Sequence, residues 1–144
     1  MIKKFFSFFT CFIILTAAAF AQQAEVFRHL NQKQGLSHNR ITCILQDNRG
    51  LIWVGTEDGL NRYNGYKVDV YKHDPSDSSS ISNNGIRSLF QDGKGTLWIG
   101  TDDGLNYFDV STEKFKYYKH SAGKNSLSNN QVTCMEQEIG RAHV

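Results

Sequence analysis

Nine residues, Trp53-Val54-Gly55-Thr56-Glu57-Asp58-Gly59-Leu60-Asn61, return 45 positions later as Trp98-Ile99-Gly100-Thr101-Asp102-Asp103-Gly104-Leu105-Asn106, with only Val/Ile and Glu/Asp exchanges. A run with a Trp and two Gly does not recur so closely by chance, and a fixed period constrains the fold before composition does. A second signal confirms the period independently. Leu36-Ser37-His38-Asn39, Ile81-Ser82-Asn83-Asn84 and Leu127-Ser128-Asn129-Asn130 open successive units at spacings of 45 and 46 residues. The chain is therefore an array, built from units that do not bury their own faces alone.

Inside one unit the turn signals are dense. Ile41–Gln46 is an apolar run closed by Asp47-Asn48-Arg49-Gly50, and Leu51–Gly55 is a second, closed by Glu57-Asp58-Gly59. Leu60–Tyr63 is a third, closed by Asn64-Gly65, which reads as a two-residue hairpin. Lys67–Lys72 alternates Val68 and Val70 with Asp69 and Tyr71, as a half-exposed outer strand does. The second unit repeats this as Ile86–Gln91, Thr96–Gly100, Leu105–Phe108 and Phe115–Lys119. Polar connectors at Ser76–Ser80 and Ser121–Asn125 lead to the next units. Four antiparallel strands per unit of about 45 residues predict an all-β fold of β-propeller blades.

The expected organisation is a leader at 1–21, an N-terminal strand (Glu25–Leu30) and linker over 22–35, and blade 1 at 36–80. Blade 2 follows at 81–126, the start of blade 3 at 127–137, and a foreign tail at 138–144. Lys3 and Lys4 precede an apolar run from Phe5 to Ala18, and Ala19-Phe20-Ala21 gives a small–x–small pattern, so a signal peptide cut before Gln22 is expected. Those two lysines account for the net charge of +2, so the remainder is neutral and argues against nucleic acid as a partner. The tail departs from the repeat where an Asp and a turn are due, and it resembles a translated sequencing adapter. The chain is thus expected to be the N-terminal part of a longer protein.

The repetition decides how chemical candidates are read. Glu57/Asp58 and Asp102/Asp103 could pass for the paired carboxylates of glycoside chemistry. A catalytic dyad occurs once in an array, however, and these recur at a turn in each unit. The whole signature is therefore read as scaffold: Trp53, Gly55, Thr56, Asp58, Gly59, Leu60 and Asn61, with Trp98, Gly100, Thr101, Asp103, Gly104, Leu105 and Asn106. Both Trp are expected as wedges between blades, both Gly as points of close approach, and Asp47 and Asp92 as caps on loop amides. Cys43 and Cys134 hold equivalent places two units apart, too far for a bridge, and are expected to be buried small residues. His73 and His120 are expected at the surface. No metal spacing is present, no cofactor is expected, and the ligand-binding residues stay open. Tyr63, Tyr66, Tyr71, Tyr107, Phe108, Tyr117 and Tyr118 are candidates for stacking on a sugar, most of them expected to pack between blades or over the outer strand.

The pattern Gln-Asp-x-x-Gly-x-x-Trp-x-Gly-Thr-x-Asp-Gly-Leu-Asn, with Gly35-Leu36-Ser37-His38-Asn39 before it, resembles the two-component regulator propeller repeat over residues 26–137. The resemblance implies a seven-bladed ring, of which two blades and the start of a third are present. It also implies the periplasmic sensor region of an inner-membrane-anchored hybrid histidine kinase that feeds a phosphorelay, with a glycan or oligosaccharide as ligand. Membrane contact is then expected only through parts beyond this chain, and a homodimer of the whole protein is compatible with the arrangement. No enzyme activity is expected of this stretch. The alternatives are a periplasmic propeller enzyme acting on glycans, or a propeller sensor coupled to a cyclic-dinucleotide cyclase. Two complete units leave faces and strand edges uncovered, so the chain is expected to fold poorly alone.

Overall fold

The computed structural model describes residues 29–123 and 126–137. The leader and its cut before Gln22, residues 25–28 of the early strand, residues 124–125 of the second connector and the tail at 138–144 lie outside the described residues. Of the early strand, His29 and Leu30 are described and are not in a strand.

Eight strands form two four-stranded antiparallel meanders. The first holds β1 (Ile41–Gln46), β2 (Ile52–Thr56), β3 (Gly59–Tyr63) and β4 (Val68–Tyr71). The second holds β5 (Ile86–Gln91), β6 (Leu97–Thr101), β7 (Gly104–Asp109) and β8 (Lys114–Tyr118). The register is the same in both: Trp53 faces Leu45 and Arg62, and Trp98 faces Phe90 and Tyr107. Even the irregularity repeats, a bulge between Ile41 and Cys43 and another between Ile86 and Ser88. The predicted strands hold to about one residue because each is bounded by turn residues rather than by hydrophobicity alone.

One turn differs from expectation. Tyr63 pairs with Val68, so the β3–β4 loop has four residues, Asn64 to Lys67, instead of a two-residue Asn-Gly turn. Asn64 Oδ1 accepts the N–H groups of Tyr66 and Lys67, both at 3.0 Å, and this side-chain turn holds the longer loop. Gly65 alone there has a positive φ, +93°, whereas a two-residue type I′ turn needs it at both central positions.

The core is the interface between the meanders. Alternation along the strands gives blade 1 one apolar face with Cys43, Leu45, Trp53, Leu60 and Tyr71. Against it blade 2 sets Ile86, Leu89, Leu97, Ile99, Phe108 and Phe115, with Ile81 from the connector. Trp53 meets Phe108 edge-on at 5.2 Å, and Tyr71 meets Phe108 and Phe115 at 5.5 and 5.4 Å. Such edge contacts add about 0.5–1.5 kcal/mol per pair beyond burial. Gly55 makes the close approach: a Cβ there would sit 2.5 Å from Cys43 Sγ and 2.7 Å from Ile86 Cγ2.

Three expectations need correction, for one reason. Trp98 is half-buried, Cys134 is exposed, and residues 131–137 form no strand. Trp98 is on the face of blade 2 that a third blade would cover, and Cys134 and residues 131–137 are the start of that third unit; among the described residues nothing beyond 126–137 lies on this face. Cys43 is half-buried rather than fully enclosed, and both cysteines are free thiols. Burial pushes the Cys43 thiol up, partly offset by hydrogen bonds from Thr42 and Gly55.

Candidate functional site

The polar signature residues of each blade fall into three clusters, the second and third joined where Thr56 Oγ1 accepts Asp58 N–H at 3.1 Å. In the first, Asp47 Oδ1 accepts Arg49 N–H and Leu51 N–H at 2.9 and 3.0 Å, capping the β1–β2 turn. Its Oδ2 accepts Trp53 Nε1–H at 3.0 Å and Arg49 Nη2–H at 2.9 Å. Asp92 repeats this with Lys94, Thr96 and Trp98 Nε1. Burial pulls the Asp47 carboxyl up, but the hydrogen bonds from Trp53, Arg49 and Leu51 outweigh it and hold it below the ordinary range. The capping role was legible in the sequence. The bond to the indole was not, although a recurring Asp-x₅-Trp spacing carried the signal.

The second cluster locks the lead-in segment onto β2 and β3. Asn61 Oδ1 accepts Ser37 N–H at 2.8 Å, and Asn61 Nδ2 donates to Ser37 Oγ and Val54 O at 2.9 and 3.0 Å. The Ser37 and Thr56 hydroxyls are 2.9 Å apart. Ser82, Thr101 and Asn106 reproduce the cluster in blade 2. Thr56, Asn61, Thr101 and Asn106 are fully buried and satisfied, as polar groups out of reach of water must be.

The acidic turn forms the third cluster. Asp58 accepts Lys72 Nζ at 2.6 Å and Asn84 Nδ2 at 3.1 Å. Asp103 does the same with Lys119 and Asn130. The Lys72 hydrogen bond keeps Asp58 below the usual carboxylate range, against a smaller effect of burial. Glu57 pairs with Arg40 at 3.1 Å, and Asp102 takes Arg87 through both oxygens at 2.7 and 2.8 Å. The Arg87 bond likewise lowers Asp102. Gly59 carries the positive φ of this turn, +129°, and stands at the start of β3 rather than within the loop. Every acid of the recurring pairs is thus paired with a cation.

The aromatic candidates scatter. Tyr71 and Phe108 belong to the core, and burial raises the Tyr71 hydroxyl to about 12. Tyr107 lies between Trp98, tilted against it at 5.5 Å, and Tyr118, stacked on it at 6.3 Å. Tyr63 donates to Gly65 O, and Tyr66 is 96% exposed. Tyr117 and Tyr118 are exposed on the outer strand. His73 and His120 are at the surface, each ring nitrogen Nδ1 bonded to the backbone carbonyl of a following lead-in residue, Ile81 or Leu127. Among the described residues no three His, Cys, Asp or Glu side chains are placed to hold a metal.

Two meanders of identical register, each closed by an Asp–Trp bond and a Ser–Thr–Asn lock, form a specific repeat. The family model described as two component regulator propeller matches it twice, at residues 35–58 and 80–103. These are two-component regulator propeller repeats. The repeats are similar to known proteins beyond that family model. The chain is 40% identical over 71 residues to histidine kinase P4 of Formosa agariphila, a stretch covering 49% of this chain and 5% of that kinase. In structure it is similar to the extracellular domain of a hybrid two component system from B. thetaiotaomicron. That likeness has a TM-score of 0.71 and 33% identity, over 78% of this chain and 16% of that one. A second extracellular domain from B. thetaiotaomicron, of a one component system, matches with a TM-score of 0.55 and 25% identity, over 67% and 14%. The chain therefore spans a small part of the length of each protein it resembles.

Proposed function

We propose that these propeller repeats are the leading blades of an exported sensor region that controls a two-component kinase. The observation that carries this reading is the 33% identical structural likeness, over 78% of this chain, to the extracellular domain of a hybrid two component system. The match to a histidine kinase supports the same output. An export leader at 1–21, cut before Gln22, places the repeats in the periplasm, with an inner-membrane anchor supplied elsewhere in the protein.

The ligand class proposed is a glycan or oligosaccharide. The recurring acid pairs are tied to cations in the scaffold, so recognition falls to loops and exposed aromatics from many blades around the ring. The kinase would respond because ligand binding favours one packing of rigid periplasmic domains over another, and bias is limited to that difference in affinity.

Two measurements test this. Residues 1–21 fused to a periplasm-dependent reporter should export it with cleavage before Gln22. In membranes carrying the protein from the complete reading frame, a set of oligosaccharides should change the rate of autophosphorylation from labelled ATP. Glycan cleavage by the exported region, with no phosphotransfer, would favour the enzyme alternative. Cyclic-dinucleotide synthesis would favour the cyclase.

A further inference from the structure

Asn-Gly occurs twice in the chain, as Asn64-Gly65 and Asn84-Gly85. This dipeptide carries a reaction of its own. The glycine backbone nitrogen attacks the carbonyl carbon of the asparagine side chain, and no Cβ on the glycine obstructs the approach. The structure places the two copies in opposite situations.

Asn84 is held at every group that the reaction needs. Its Nδ2 donates to Asp58 Oδ1 at 3.1 Å, its Oδ1 accepts His73 N–H at 2.7 Å, and its backbone carbonyl accepts Gly59 N–H at 2.8 Å. The attacking nitrogen is engaged as well. Gly85 is buried, and its N–H donates to Asn83 Oδ1 at 2.8 Å. These bonds form the joint between the first and second units. Asn130 makes the same joint with Asp103, His120 and Gly104 at 2.8, 2.5 and 2.8 Å, but Gln131 follows it.

Asn64 stands in the exposed β3–β4 loop. Its Oδ1 accepts the N–H groups of Tyr66 and Lys67, both at 3.0 Å. Two donors on one carbonyl oxygen polarise it, and they already lie where negative charge forms on attack. Among the described residues neither Asn64 Nδ2 nor Gly65 N–H makes a hydrogen bond, so the leaving group and the nucleophile are free. Gly65 has nothing within 4 Å of where a Cβ would sit, which leaves room for a ring to close.

The exposure of this loop does not depend on further blades. Blade 1 has its following neighbour in place, and residues 64–67 are exposed. Blade 2 has its preceding neighbour in place, and residues 110–113 of the equivalent loop are exposed too. A blade on either side leaves this position open. The second loop also has Asp109 where the first has Asn64, and Asp109 Oδ1 caps Ser111 N–H at 2.9 Å.

We propose that Asn64 is a site of spontaneous deamidation and isomerisation in the folded protein, and that the joint protects Asn84. Gly65 N bonds to Asn64 Cγ, the Cγ–Nδ2 bond breaks, and the nitrogen leaves as ammonia with the proton from Gly65 N–H. Water then adds to either carbonyl of the succinimide and opens it to an aspartate or an isoaspartate. The aspartate keeps the loop cap, as Asp109 does, whereas the isoaspartate adds a methylene to the main chain. Either product sets a new carboxylate between Tyr63 and Tyr66, beside a cavity of about 350 Å³ that both of them line. This inference is independent of the sensory reading.

Peptide mapping by mass spectrometry tests it, on protein from the complete reading frame incubated at mildly alkaline pH, folded or in urea. In the folded protein, the mass shift of an amide nitrogen replaced by oxygen should accumulate at Asn64 at least about tenfold faster than at Asn84, which must first be freed from the joint. In urea the two rates should converge. An isoaspartyl methyltransferase with labelled S-adenosylmethionine should methylate the peptide that contains residue 64. Asn64→Gln should abolish both signals, because its longer side chain closes a ring far more slowly. Equal rates at the two sites in the folded protein overturn the proposal. So does an Asn64 that reacts in the folded protein at least about tenfold more slowly than in urea, which would mean that the loop protects it.

Discussion

Trp53 and Trp98 occupy one position of one repeat, and each donates a 3.0 Å hydrogen bond to an aspartate six residues earlier. Their surroundings differ completely. Trp53 is wholly buried, edge-on to Phe108 of the next blade. Trp98 is half-buried and packs on Tyr107 of its own blade. Arg62 stands beside Trp53 where Tyr107 stands beside Trp98. Its guanidinium lies 5.9 Å over Trp53 and 5.5 Å over Tyr71, bonded to Asp69 at 3.0 Å and across the joint to Glu113 at 2.7 Å. The contrast shows that the signature prepares a face, while the neighbouring unit decides how much that face is worth. A charge inside the covered joint is tolerable because both flanking blades supply a carboxylate.

The largest expected effect tests that contrast directly. Trp53→Ala should cost about 3–5 kcal/mol and abolish the folded signal, as for large aromatics lost from a core. Trp98→Ala should cost less than half of that in urea unfolding. Equal losses would show that the indole acts within its own blade and that the joint adds nothing.

Asp47→Asn sharpens the comparison at the hydrogen-bond level. The Asp47 side chain is 1% exposed and holds Trp53, Arg49 and the turn amides, so about 2 kcal/mol is expected from weakening a buried charged acceptor. Asp92→Asn, at a more exposed carboxylate holding the equivalent indole and turn amides, should lose less in the same assay.

The covered joint should also have a signature in alkali. Tyr71 has a folded pKa of about 12, against about 10 in an unfolded chain. The neutral hydroxyl is favoured by folding, so this stabilisation is complete below pH 10 and is lost as pH rises towards 12, by on the order of 1–2 kcal/mol. Tyr71→Phe should flatten the stability profile across that window. An unchanged slope would mean that another group reports it.

Smaller effects complete the series. Arg62→Lys keeps the charge but loses the planar fork, at a cost of about 1 kcal/mol, visible as a lower urea midpoint. Lys72→Ala and Lys119→Ala break equivalent exposed ion pairs and should each cost no more than about 0.5 kcal/mol. A difference between those two would mean that the joint alters even its solvent-facing rim.

Much of this architecture was readable from residues because Asp47/Asp92 and Asp58-Gly59/Asp103-Gly104 mark the inner turns at the same places in both units. Tertiary satisfaction was less readable. Ser37, Thr56 and Asn61 converge from positions up to 24 residues apart, and nothing local to any of them marks a buried lock. Their recurrence as Ser82, Thr101 and Asn106 was the available signal. Asn64-Gly65 misled because the dipeptide rule ignores the Asn side chain, which here binds two amides of a longer loop. Cys134 misled because periodicity predicts the environment of a complete neighbour. The recurring acids were read as scaffold from their repetition, and in the structure each of them is paired with a cation.

The sameness of the joint has a consequence for how such genes change. Asn84 and Asn130 read one surface, made of an Asp, a Gly amide and the backbone after an outer strand. A tandem duplication of any 45-residue stretch would therefore insert a unit whose two seams already match its neighbours. Blade number can then drift by recombination within the array without a single compensating point mutation.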